Sequence, residues 1–120
     1  WSQVCHHKLA IITEDPFLCL NILKLEKEDQ CYNDVAEQSQ NPNTCKLISV
    51  KDNANACIWG IAKESQDESV CGYWVIESTA DRVKKDLCYK NLARSKDSIE
   101  VCDGIVASSI KEDCLDMFNE

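Results

Sequence analysis

The chain has 120 residues, nine cysteines, two prolines, three glycines and a net charge of −8. That length suits one domain, and the negative charge disfavours nucleic acid and anionic membrane surfaces, because phosphate contacts need clustered Lys and Arg. No apolar run is long enough to span a bilayer, and cysteine usage this high points to an oxidising, extracellular or cell-surface setting.

The cysteines fall at 5, 19, 31, 45, 57, 71, 88, 102 and 114, with separations of 14, 12, 14, 12, 14, 17, 14 and 12. This is an internal repeat of period 26 with one five-residue insertion. Zinc sites favour closer pairs than these. The units run over about 5–30, 31–56, 57–87 and 88–113, with a half unit at 114–120, and the whole reads as one domain over 1–120.

In chain order, each unit opens on a longer helix A. "CHHKLA", "CYNDVA", "CIWGIA" and "CYKNLA" place Leu9, Val35, Ile61 and Leu92 four residues after the first cysteine, with Phe118 in the half unit. Ala10, Ala36, Ala62 and Ala93 come next. Helix B follows, entered through a cap four residues before its cysteine: Asp15, Asn41, Asp67 and Ser98, with Pro16 and Pro42 behind the first two. Ile22, Ile48, Trp74 and Ile105 lie three residues after the helix B cysteine. The apolar spacing is helical throughout, with no strict alternation of the strand kind. The order A-B-A-B-A-B-A-B-A predicts nine short helices with one cysteine each. The insertion, in "GYWVIESTADRVKKDLC", is expected to lengthen the third helix B, the next helix A, or both. Because the first residue, Trp1, already stands in a helical pattern, a mature or trimmed chain is expected, its targeting segment removed.

Two regular disulfide schemes are open. Closing the A-to-B turns pairs Cys5–Cys19, Cys31–Cys45, Cys57–Cys71 and Cys88–Cys102, with Cys114 left over. Closing the B-to-A turns pairs Cys19–Cys31, Cys45–Cys57, Cys71–Cys88 and Cys102–Cys114, leaving Cys5 unpaired or free for an intermolecular bridge. Constant spacing favours the first. Geometry favours the second, because Cys45 and Cys57 stand nearly symmetrically about Lys51, whereas Cys31 lies too far back from its turn to face Cys45.

His6 and His7 follow Cys5, but neighbours on a helix diverge by about 100°, so the three do not converge on a metal. Position 6 aligns with Tyr32, Ile58 and Tyr89, which marks it as a packing position. No catalytic, cofactor-binding or metal site is predicted. The carboxylates in "KLEKEDQC", "RVKKDLC" and "IKEDC" read as solvated faces near helix starts. Trp59, Tyr73 and Trp74 form a candidate aromatic patch, in which Trp74 is the most core-like.

The Cys-Tyr-x-x-[Leu/Val]-Ala helix followed by a capped second helix resembles the αα-hairpin repeats of the tetratricopeptide and Sel1-like class, in their secreted, cysteine-rich form. That resemblance implies an interaction scaffold. The expected fold is all-α, a short right-handed α-solenoid of about four and a half repeats stapled by disulfides. The leading functional expectation is a non-catalytic extracellular subunit of a filament or array, stacked head to tail through apolar ends. Trp1, Val4, Leu9 and Ile12 would form one end, and Leu115, Met117 and Phe118, with Ile110, the other. Its partner is then itself, or another extracellular protein. One alternative is a monomeric solenoid that binds a protein or peptide; a second is an enzyme-like repeat protein that engages cell-wall fragments.

Overall fold

The structure is a computed structural model that describes residues 3–21 and 25–119, with the side chains of 7–20 and 27–119. Helical elements follow one another in the order α1 (Gln3–Thr13), η1 (Pro16–Asn21), α2 (Leu25–Ser39), α3 (Pro42–Cys45), α4 (Lys51–Ser65), η2 (Glu68–Tyr73), α5 (Thr79–Lys96), η3 (Ile99–Gly104) and α6 (Ser108–Asp116). The fold is all-α, with no strand among the described residues. The helix B segments are shorter than α-helices usually are. Three are six-residue 3₁₀ segments, and α3 is a single α-helical turn. A 3₁₀ segment rises more per residue than an α-helix, which suits a stretch confined between two turns.

The A-to-B turns explain the capping register. Helix A ends at a left-handed residue, Glu14, Gln40, Gln66 or Asp97, with φ of 56°, 53°, 55° and 52°. Each stands nine residues after its helix A cysteine. The residue behind it donates back to the ruler alanine: Asp15 to Ala10, Asn41 to Ala36, Asp67 to Ala62 and Ser98 to Ala93, at 3.0–3.3 Å. This is the six-to-one bond of a Schellman motif. The same residue then caps helix B. Asp15 Oδ1 accepts from Phe17 N, Asn41 Oδ1 from Asn43 N and Asp67 Oδ1 from Ser69 N, each at 3.0 Å, while Ser98 makes no side-chain cap. All four alanines are fully buried.

The B-to-A turns carry the bridges. Disulfides join Cys19–Cys31, Cys45–Cys57, Cys71–Cys88 and Cys102–Cys114, with Cα atoms 5.7–5.9 Å apart. The chain-entropy model assigns each such loop roughly 3 kcal/mol. The side chain of Cys5 lies outside the described residues, and with it the expectation that this thiol lacks a partner in its own chain.

The chain divides into two compact units, residues 1–61 and 62–120. In the first, Val35, Ile48, Ile58, Ile61 and Tyr32 are buried together with the cysteines of the Cys19–Cys31 and Cys45–Cys57 bridges. In the second, Val70, Leu92, Val101 and Ile105 are buried along with the cysteines of Cys71–Cys88 and Cys102–Cys114. The second unit also takes up the insertion. Helix α5 begins nine residues before its cysteine, whereas α2, α4 and α6 begin six before theirs. The added turn is anchored by a capping box, in which Ser78 Oγ accepts from Asp81 N and the buried Asp81 carboxylate accepts from Ser78 N and Glu77 N.

Candidate functional site

Each unit holds one buried aspartate two residues before a helix A cysteine. Asp29, on α2, accepts from the Ser49 backbone N–H at 2.9 Å and from the Ser49 hydroxyl at 2.5 Å. Asp86, on α5, accepts from Val106 N at 3.0 Å and Ala107 N at 3.1 Å. In both, a carboxylate on helix A takes up backbone donors of the turn that leaves the following helix B. These side chains belong to "KLEKEDQC" and "RVKKDLC", read above as solvated acidic faces. That reading is corrected: Asp29 and Asp86 are 8% and 4% exposed. A buried carboxylate needs such donors, since burying an unpaired charge is strongly unfavourable. Asn55, at the same register in α4, is buried as well.

A groove opens beside each clamp. The first, about 350 Å³, is lined by Asp29, Asn33, Ile48, Val50 and Asn53. The second, about 360 Å³, is lined by Ile76, Val83, Val106, Arg82 and Lys85 beside Asp86. The second is the more apolar at its rim, where Ile76, Val83 and Val106 are all exposed.

Elsewhere, His7 Nε2 lies 2.6 Å from Asp34 Oδ2, tying α1 to α2. The His6 side chain is outside the described residues. No group of three or more His, Cys, Asp or Glu suited to a metal occurs among the described residues. The Tyr32 hydroxyl donates to Glu28 Oε1 at 3.1 Å. Burial, reinforced by that acceptor and by the charges of Glu28 and Asp29, pushes its pKa up to about 12. At the same register in the second unit, the Tyr89 ring lies over Gly104, where an added Cβ would fall within 2.5 Å of it. Burial first, then Asp86 and Glu68, raises that phenol too. Trp59, Tyr73 and Trp74 are each half-buried. The Trp74 indole N–H is buried with no hydrogen-bond partner among the described residues, the outcome of placing an indole where other units carry isoleucine.

Of the apolar ends read from the sequence, Trp1 and Val4 have side chains outside the described residues. Leu9 is half-buried and Ile12 is exposed. Ile110, Leu115, Met117 and Phe118 are half-buried, and Arg94 Nη2 donates to Met117 Sδ at 3.5 Å. Two exposed residues went unmarked. Phe17 and Leu20 are 72% and 62% exposed, in η1 just after Ile12 of α1, which is 78% exposed. The ruler would have found them. Opposite Phe17 the other units carry Asn43, Ser69 and Glu100; opposite Leu20 they carry Lys46, Gly72 and Asp103; opposite Ile12 they carry Gln38, Glu64 and Ser95.

No helix among the described residues is long and apolar enough to cross a membrane. Comparison of the chain with protein-family models, with curated proteins and with solved structures returned no match.

Proposed function

We propose that this chain is a non-catalytic, extracellular helical-repeat protein whose 26-residue units stack as a short solenoid and which self-associates head to tail into a filament or array. One observation carries the reading. At three positions where every other full unit is polar or glycine, the first unit exposes Ile12, Phe17 and Leu20 to solvent. Single exposed apolar residues are ordinary, but three in the one stretch from 12 to 20, each departing from its own repeat, mark a contact surface.

The buried carboxylates Asp29, Asp81 and Asp86 are occupied by backbone donors, which favours architecture over acid–base chemistry. Four disulfides in a chain of this size fit an oxidising compartment. A monomeric scaffold that holds a peptide in the groove beside Asp29 is the second reading, supported by the mix of polar and apolar residues on that groove's walls.

Sedimentation velocity and negative-stain electron microscopy across a concentration series test the first reading. Growth of species beyond dimer with concentration is expected. A monodisperse monomer at the highest concentration reached would sink it.

A further inference from the structure

We infer that the α1–η1 corner of one copy docks in the groove beside Asp86 on a second copy. The inference rests on the self-association reading and names its two faces. Both are departures from the repeat. The donor face is Ile12, Phe17 and Leu20. In the groove, Val83 stands where other units carry Glu26, Asp52 and Ser109, and outside its lining, one turn further along α5, Leu87 stands where they carry Gln30, Ala56 and Asp113. Val83 and Leu87 are 40% and 38% exposed, and Val106 reaches 86%.

Charge identifies the occupant as a second copy. Helix α5 holds six of the chain's 13 basic residues (Arg82, Lys84, Lys85, Lys90, Arg94 and Lys96) against two acids, Asp81 and Asp86. The helix carries net +4 on a chain of net −8. Arg82 and Lys85 line the groove. The donor corner sets Glu14 and Asp15 between Ile12 and Phe17, so its apolar side chains carry acidic groups where the groove presents cations. An apolar contact ringed by opposite charge combines affinity with orientation. The two faces differ, so the contact is heterologous, and it propagates from copy to copy unless its rotation closes a ring.

The test uses the intact oxidised chain and two substitutions at exposed positions, Phe17→Asp and Val83→Asp, with circular dichroism to verify folding. Each variant alone is expected to weaken self-association about tenfold or more, because each loses one face. An equimolar mixture is expected to form a one-to-one complex and stop there, since the Val83→Asp chain keeps its donor corner and the Phe17→Asp chain keeps its groove. Arg82→Glu is expected to weaken assembly, and combining it with Glu14→Lys to recover it. Wild-type-like assembly by either aspartate variant overturns the docking, as does a mixture no heavier than monomer, and both results leave self-association standing. A wild-type chain that never associates overturns both.

Discussion

Asp29 and Asp86 stand at the same register and do the same work with different partners. In the first unit, one carboxylate oxygen takes a backbone N–H and the other a serine hydroxyl, both from Ser49. In the second, both oxygens take backbone N–H groups, from Val106 and Ala107. A hydroxyl can turn and accept; a peptide N–H cannot. The two helices thus place a carboxylate at one register while the residues it clamps differ, with Asn55 at that register in α4, and the clamp in the second unit is expected to tolerate less chemistry. Above that clamp the second unit exposes Val106 and Val83 beside cations, whereas the first exposes Ser49 and Val50 among amides. A shared scaffold thus presents two unlike surfaces.

Reduction is the harshest way to erase the difference. The bridge in the insertion closes 17 residues and the other three close 12, a difference too small to separate them in the chain-entropy model. Helices of 9–18 residues are marginal alone in water, and each bridge contributes roughly 3 kcal/mol. Full reduction is expected to unfold both units, read as loss of the helical circular dichroism signal. A reduced chain that keeps most of that signal would show that packing suffices in at least one unit.

The clamps come next. Asp86→Ala leaves two part-buried backbone donors without their carboxylate and is expected to destabilise by about 2–4 kcal/mol. The sharper comparison is asparagine at both sites. At 29, the amide NH₂ can face Ser49 Oγ, which turns to accept, so Asp29→Asn is expected to lose about 1 kcal/mol or less. At 86, the amide NH₂ must face a peptide N–H, and about 1–3 kcal/mol is expected to go. Urea midpoints of the two variants measure this. Equal losses would mean that the identity of the partner does not matter.

The cysteine ruler made much of this architecture readable. Apolar and cap residues recur against it, and Asp15, Asn41 and Asp67 cap at the marks where the spacing put them. Other features left no signature in residue type. The left-handed turn residues are Glu, Gln, Gln and Asp rather than glycine, so no glycine marks the Schellman motif. At two of them the side chain assists: the Gln40 and Gln66 amides donate to the Glu37 and Lys63 carbonyls. Asp29 and Asp86 were concealed among neighbouring charges, because burial depends on which face of the helix a turn crosses. Phe17 and Leu20 were concealed differently. Their types are unremarkable in an amphipathic stretch, and only comparison with the other units at the same marks reveals them. The groove beside Asp86 draws its walls from segments some 30 residues apart, a juxtaposition that spacing alone does not encode.

Tyrosine at the ruler mark after the cysteine offers a comparison that pH can sharpen. The Tyr32 phenol, 4% exposed, is held up to about 12, while an unfolded tyrosine titrates near 10. Its folded pKa is raised, so above about pH 10 the folded state retains a proton that the unfolded state releases. Stability is then fully present below that pH and falls as pH rises toward about 12, by about 2–3 kcal/mol in total. Tyr89 is half-buried and raised in the same direction. Tyr32→Phe is expected to flatten most of the alkaline slope in urea midpoints measured between about pH 9 and about pH 11.5, and Tyr89→Phe to flatten less. The reverse order would place the dominant buried phenol in the second unit.

The smallest effect belongs to an ion pair in the second unit. Lys96 Nζ lies 2.5 Å from Glu68 Oε2 and joins the end of α5 to η2. The hydrogen bond from Lys96, followed by a backbone hydrogen bond, holds the Glu68 carboxyl below its ordinary range, while desolvation and Asp67 push the other way. Because the folded pKa is depressed, the stabilisation is present above the unfolded value near 4.3 and is lost as pH falls through the folded value. Both side chains are substantially exposed, at 44% for Glu68 and 28% for Lys96, so water and salt screen the pair. A double-mutant cycle with Glu68→Gln and Lys96→Met is expected to return a few tenths of a kcal/mol at neutral pH and low salt. That coupling should shrink when salt is raised to about 1 M, where the screening length is about 3 Å. It should also vanish on acidification below the folded pKa of Glu68. A coupling of more than about 1 kcal/mol that persists in high salt would mean that the pair is shielded from solvent. The α5–η2 contact would then anchor the C-terminal end of α5, opposite the Ser78–Asp81 box that anchors its start.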